Sequence, residues 1–388
     1  GTATNSEIKN NIIYGFDNYA VYFSIQSGET ASITGMNVTY NLMNGNGTNS
    51  VYMSSSISLT NVNTTTGNIT SSPVFVSTTD FHLQSTSPAR GAGTATGQAS
   101  ATDYDDVAWN SPPSIGAFEY YIGGGGGTIG TIYYVSNSGN DSNSGTSTAS
   151  PWRTVAKVNS STFSPGDQIL FQRNGIWREQ ISLQPKSGNS TADVYYGAYG
   201  TGDKPRIIGS KQENSTSDWT NVGTNLWRNT DASFTNANGG VGNLIFNNEA
   251  SIGWKVYSSG DLNSQGDFYY DLTNQRLTVY STTNPATYYS NIECALGIDG
   301  IRFWNSQDYV TIENLDVRYY AAHGVGAGGG NDHITIRYCH FQYIGGGDFD
   351  SGSYGNAVQF WGSCSNILID KNTFYEIYDA AITHQYSG

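Results

Sequence analysis

Short runs of alternating apolar and polar residues recur along the chain, each broken by a bend. They are "VTIENLDVRYY" from Val310, "ITIRYCHFQYI" from Ile334, "ILIDKNTFYEI" from Ile367, "SEIKNNIIYGF" from Ser6 and "ASITGMNVTYN" from Ala31. Aligning their central isoleucines, Ile312, Ile336, Ile369, Ile8 and Ile33, brings Leu315, Cys339, Asn372, Asn11 and Met36 together three residues on. Val317, Phe341, Phe374, Ile13 and Val38 then follow. Alternation on both sides of a corner predicts two brief strands joined by a turn. Stacked corners would set Asn372 beside Asn11, where side-chain amides satisfy one another along the stack.

The intervals predict a solenoid. They are 24 residues from Ile312 to Ile336, 33 from Ile336 to Ile369 and 25 from Ile8 to Ile33, the period expected of stacked coils. Were Gly388 followed by Gly1, Ile369 to Ile8 would span 27 residues, in step with the rest. The two chain ends therefore read as neighbouring coils. Residues 211–296, with "LIFNNEASIGWKVYSS" and "GDFYYDLTNQRLTVYS", break the period and read as hairpins.

Composition narrows the class. Only 12% of the 388 residues are charged, while small polar and aromatic residues abound, which suits an extracellular all-β protein. A net charge of -14 with no basic stripe excludes nucleic acid as a partner. No apolar run reaches membrane-spanning length. The chain starts at Gly1 without Met or a signal pattern, as expected of a mature or excised segment. Cys294, Cys339 and Cys364 are odd in number and lack metal-ligand spacing, so they are expected to be buried thiols rather than disulfides or a zinc site.

Two further segments carry a resemblance. "IYYVSNSGNDSNSGTSTASPWRTVAKVN" followed by "SPGDQILFQRNGIWREQISL" resembles the start of right-handed parallel β-helix proteins of the pectate-lyase-like superfamily, including a short amphipathic capping helix near Trp152 to Val158. "DFHLQSTSPARGAG" followed by "SIGAFEY" resembles the usual end of such domains. The resemblance implies an all-β fold, a right-handed parallel β-helix (solenoid) with a β-hairpin-rich insertion like that of several glycan-active β-helix proteins. It is specific for fold and weak for activity, because many functions use this scaffold.

The terminal hallmarks stand in reversed order. Residues 1–121 read as the carboxyl half of a β-helix and 122–130 as a Gly-rich linker. Residues 131–210 read as the amino-terminal cap and first coils, 211–296 as the insertion and 297–388 as the central coils. A circular permutant, one repeat of a tandem array, or a subunit that completes its neighbour's solenoid would each give this order. About ten coils at ~4.8 Å make a solenoid of ~48 Å, whereas a nine-residue linker reaches about 30 Å. Closure on the same chain therefore requires the tail from Asp80 to Tyr121 to run back along the helix. Otherwise the linker suits successive solenoids, and non-closing head-to-tail contacts build a fibre.

The expected function is an extracellular or cell-surface structural subunit whose partners are other copies of itself. Its assembly edges are Ile8 and Ile13 on one side, Phe374 and Ile377 on the other. Eight sequons, at Asn37, Asn46, Asn63, Asn68, Asn140, Asn159, Asn189 and Asn214, are glycosylation candidates. The alternative is a secreted polysaccharide lyase, glycoside hydrolase or glycan-binding protein. For that reading, His323, Asp348, Asp350, Asp379 and His384 fall in comparable parts of three successive coils. Two carboxylates there would act as acid and base or nucleophile, or a histidine would act as base beside Asp-bound calcium. No other cofactor is expected. "DFD" lacks the full ligand count of a calcium loop, and no Lys or Arg in this cluster would neutralise a uronate. Trp304, Trp361, Tyr319, Tyr320 and Phe360 are candidates for a sugar-stacking platform.

Overall fold

The computed structural model describes residues 2–4, 6–14, 19–23, 31–44, 49–53, 55, 57–75, 81–84, 86–95, 103, 109, 111–119, 130–183, 187–190, 192–232, 234, 239–349 and 352–385. They form two compact units, 1–127 with 199–201, and 128–198 with 202–388. The expected linker lies, apart from Gly130, outside the described residues.

The second unit is a right-handed parallel β-helix. Its first sheet stacks Ile132–Val135, Gln168–Gln172, Val194–Tyr199, Asp308–Glu313, Asp332–Arg337 and Ser365–Asp370. The second runs from Ile176–Trp177 through Arg206–Ile208, Asp316–Arg318 and His340–Ile344 to Thr373–Ile377. The third contains Ile181–Leu183, Ile301–Phe303, Val325–Ala327, Val358–Trp361 and Ile382–Gln385. Register follows the sequence alignment here: Ile312 pairs with Ile336 and Ile336 with Ile369, while Val317, Phe341 and Phe374 form the adjacent row. Alternate residues point inward, so each row becomes a stack of buried apolar side chains. Phe341 and Phe374 illustrate this, with ring centroids 5.5 Å apart and planes at 11°.

A short helix, Val155–Ser160, covers one end of this core through Val155 and Val158. It begins later than the expected Trp152 because Thr154 is the N-cap, accepting the Lys157 N–H. The insertion folds into two mainly antiparallel sheets around Trp219, Phe246, Phe268 and Tyr289. Glu293 anchors it to the solenoid by accepting two hydrogen bonds from Arg178, at 2.7 and 2.8 Å. Burial works against the Glu293 carboxylate, but Arg178, Ser210 and Gln212 outweigh it and hold its pKa below the ordinary range. Cys294, Cys339 and Cys364 are free buried thiols, and burial pushes Cys339 up to about 12. Among the described residues no helix is long and apolar enough to cross a membrane.

The first unit is also a parallel stack, but its register corrects the alignment. Ile8 lies level with Val38, Ala3 with Ile33, and Ile13 with Met43. Its coils bend twice within a few residues, after Thr34 and after Thr39. The Met36 bend therefore imitates the corner that truly follows Asn11, which is Asn41. That corner carries an asparagine ladder. Asn41 Oδ1 accepts the Asn11 backbone N–H at 3.0 Å, and Asn68 Oδ1 accepts that of Asn41 at 2.9 Å. Asn41 Nδ2 donates to Ile8 O, and Asn68 Nδ2 to Val38 O. Asn372 repeats the geometry in the second unit, accepting the Cys339 N–H at 2.8 Å and donating to Ile336 O at 2.8 Å.

Asn41 is fully buried, so replacing it leaves neighbouring backbone groups without partners. Asn41→Leu is expected to destabilise the first unit by about 3 kcal/mol, read as a lower urea midpoint. An unchanged midpoint would show the ladder to be dispensable.

Candidate functional site

A groove of about 870 Å³ runs along the outer face of the third sheet in the second unit. Its shape comes from strand alternation. Phe303, Ala327 and Phe360 share one inward row, and the residues after them, Trp304, Gly328 and Trp361, fall in register on the outside. Trp304 and Trp361 thus stand two coils apart, about 9.6 Å, with a glycine between. Both indoles are exposed, at 43% and 42%. A side chain on the intervening coil would fill the trough. A Cβ at Gly326 would lie 2.6 Å from the Asp299 carboxylate, and one at Gly328 would lie 2.1 Å from Asn305 Oδ1. Trp304 is fixed by donating from Nε1 to Ser182 Oγ at 3.1 Å and by the Arg302 guanidinium 5.2 Å from its ring.

The groove's inner wall is the corner between the second and third sheets. Asp299, His323 and Asn356 occupy the same place on successive coils. Asp299 Oδ1 accepts the His323 backbone N–H at 3.2 Å, His323 Nδ1 accepts that of Asn356 at 3.0 Å, and Asn356 Oδ1 accepts that of Ala380 at 3.0 Å. This chain of acceptors rigidifies the wall. It also places the proton of neutral His323 on Nε2. Asp299 Oδ2 is paired with Arg302 at 2.8 Å. Asp379 follows one coil beyond Asn356 and is exposed, and its carboxylate makes no hydrogen bond among the described residues. Burial depresses the His323 pKa, with Arg302 adding to the effect, while the charges of Asp299 and Asp379 oppose it.

The structure thus brings two of the expected residues, His323 and Asp379, to the groove. Asp348 is engaged elsewhere, in an ion pair with Lys255 at 2.8 Å that ties the insertion to the solenoid. Asp350 lies outside the described residues. His384 pairs with Phe360 in the inward row and donates from Nε2 to Gly362 O at 3.0 Å. It belongs to the core position of its coil, not to the groove. Asp299, Arg302, Asn356 and Gln359 are lining residues that the pattern of carboxylates and histidines missed. Continuing the His323 column by one coil would have reached Asp299. The aromatic platform reduces to Trp304 and Trp361, since Tyr319, Tyr320 and Phe360 are buried.

Asp299 and Asp379 do not form a close carboxylate pair. Asp299 and Ala380 are three coils apart, about 14 Å, beyond the ~9.5 Å limit of a paired glycosidase site. The arrangement instead offers one unengaged carboxylate, a neutral imidazole and a fixed Asp–Arg pair. No group of three or more His, Cys, Asp or Glu side chains suited to a metal ion occurs among the described residues. Of the sequons, Asn68 and Asn159 use their amide nitrogens on backbone carbonyls. Asn140, Asn189 and Asn214 are exposed, Asn37 and Asn63 half-buried, and Asn46 lies outside the described residues.

No protein-family model matches the chain. Over 94 residues, 23% of its length, it is 34% identical to a lacto-N-biosidase of Bifidobacterium longum subsp. longum, of which it spans 6%. Among solved structures, a complex of XylC with xylose has a TM-score of 0.47 at 16% identity, covering 66% of this chain and 56% of that one. A GH136 lacto-N-biosidase from Eubacterium ramulus has a TM-score of 0.38 at 17% identity, covering 66% and 36%. The pectate lyase Pel9A has a TM-score of 0.30 at 14% identity, covering 63% and 47%. The chain thus spans less than two thirds of each.

The tautomer gives a pH prediction. With its folded pKa depressed, His323 takes up a proton more readily in the unfolded chain. Its contribution to stability is full above the unfolded value of about 6.5 and declines as pH falls below it. Melting curves from pH 7.5 to 5 should show a loss that His323→Gln reduces. An identical pH slope in the variant would refute the assignment.

Proposed function

We propose that the groove binds a neutral glycan and that the protein is a carbohydrate-active enzyme of the glycoside hydrolase class. The observation that carries this reading is the in-register pair of exposed Trp304 and Trp361 flanking Gly328. Indole faces favour the apolar faces of sugar rings, and amides such as Gln359 and Asn356 at the groove suit hydroxyl recognition. The short match to a protein named lacto-N-biosidase supports the same substrate class.

Charge separates this reading from a polyuronate lyase. The groove contains Asp299 and Asp379, while its Arg302 is already paired with Asp299. A uronate would therefore meet net negative charge. Asp379 takes a proton from the water that attacks the anomeric carbon, the glycosidic C–O bond breaks and its oxygen leaves with a proton from solvent, and His323 donates a hydrogen bond from Nε2 to the bound sugar. The Asp299–Arg302 pair holds the wall in place.

Trp304→Ala and Trp361→Ala are each expected to weaken binding of neutral oligosaccharides about tenfold or more, measured by titration calorimetry. Asp379→Asn should retain binding yet reduce release of reducing sugar at least about 100-fold. Product release from pectin or alginate but from no neutral glycan would overturn the reading.

A further inference from the structure

One side chain of the groove has its polarity dictated by the wall. Gln359 lies on the outer face of its strand, between the inward Val358 and Phe360 and on the same side as Trp361. Its partner on the preceding coil is Gly326, whose missing side chain leaves that flank open to the groove. An amide in this place can turn either its oxygen or its NH2 toward a ligand, and the two ends have the same shape. Which end faces the groove therefore depends on what holds the other.

The corner ladder supplies that hold. The Ala380 backbone N–H can only donate, so the Asn356 atom that meets it at 3.0 Å is Oδ1. Asn356 Nδ2 is thereby turned the other way, where it donates to Gln359 Oε1 at 2.6 Å. An NH2 group can only donate, so the Gln359 atom facing it is the oxygen. Gln359 Nε2 is left as the end presented to a ligand, and it makes no hydrogen bond among the described residues. Turning either amide over would set donor against donor or acceptor against acceptor, with Asn356 buried.

We propose that Gln359 is a specificity-determining residue of this groove, donating from Nε2 to a sugar oxygen that carries no hydrogen, and that Asn356 positions it. The proposal rests on the glycan-binding reading above. A hydroxyl both donates and accepts, so it pairs with either end of an amide. Fixed polarity discriminates only among oxygens that accept and cannot donate. On a neutral glycan these are the ring and glycosidic oxygens and the carbonyl of an acetyl substituent. The indoles of Trp304 and Trp361 hold the rings, and the Gln359 NH2 selects the oxygen that is read.

Asn356→Asp tests both halves. The new carboxylate keeps one oxygen for the Ala380 N–H and turns the other to Gln359, whose amide then flips and shows its oxygen to the groove. Amide exchange reads the flip without any ligand. In 15N-labelled protein the Gln359 NH2 signals, identified by their loss in Gln359→Glu, should exchange with water as an exposed amide does and slow about tenfold or more in Asn356→Asp. Protection in the unmodified protein, or exchange that the substitution leaves unchanged, would overturn the proposal. Calorimetry with cellohexaose, xylohexaose and the hexamer of N-acetylglucosamine reads recognition. Asn356→Asp should weaken binding about tenfold: for every sugar bound where a ring or glycosidic oxygen is read, and for the N-acetylglucosamine hexamer alone where the acetyl carbonyl is. Gln359→Leu, which removes the donor and leaves the Ala380 bond in place, should show the same loss. Unchanged affinity after the amide has turned over would overturn the donor role, because a hydroxyl is then the partner. Failure of every sugar to bind would overturn the glycan reading and the donor role together, while exchange alone decides the amide's orientation.

Discussion

The structure depends on satisfying backbone N–H groups at the corners of a parallel solenoid. Within the interior strands, ladder bonds run to the coils on both sides. At a corner the chain turns out of the ladder, and a donor buried there without a partner costs on the order of 1–3 kcal/mol. This protein answers with side-chain acceptors repeated coil after coil. Asn41, Asn68 and Asn372 serve one corner, Asn331 receives the Gln307 N–H at another, and Asp299, His323 and Asn356 serve the third. The inward apolar stacks supply most of the driving force, but they do not by themselves select where the chain bends. The corner ladders do.

That division explains what could be read from the chain. In the second unit the apolar row and the corner coincide once per coil, so Ile312, Ile336 and Ile369 aligned correctly despite intervals of 24 and 33 residues. In the first unit the Met36 and Asn41 bends both sit between apolar residues, and hydropathy alone could not separate them. The hydrogen-bonding capacity of Asn41 separates them, because its amide both accepts and donates at that depth and the Met36 thioether does not.

The site was harder to read for a related reason. His384 looked like its candidate neighbours in sequence, but strand parity puts it beneath Phe360 on the inward row. Asp348 was visible as a loop carboxylate, while its partner Lys255 lies within the insertion, 93 residues earlier in the chain. Asp299 sits at the boundary where the insertion ends and the coils resume, and only its 24-residue spacing from His323, one coil interval, marks it. Trp304 and Trp361 were legible as aromatics. Their alignment across Gly328 required the register.

One consequence links fold to chemistry. The corner that caps the solenoid's backbone is also the wall of the groove, so Asp299 and His323 are held in place before any ligand arrives. A histidine accepting a backbone N–H at Nδ1 cannot be protonated there without losing that bond, which keeps the imidazole neutral in the wall. An acceptor ladder thus does for a binding site what second-layer hydrogen bonds do elsewhere. Among the described residues the Asp379 carboxylate, by contrast, carries no such tie. The ladder thus fixes the wall while leaving the Asp379 side chain at the groove outside it.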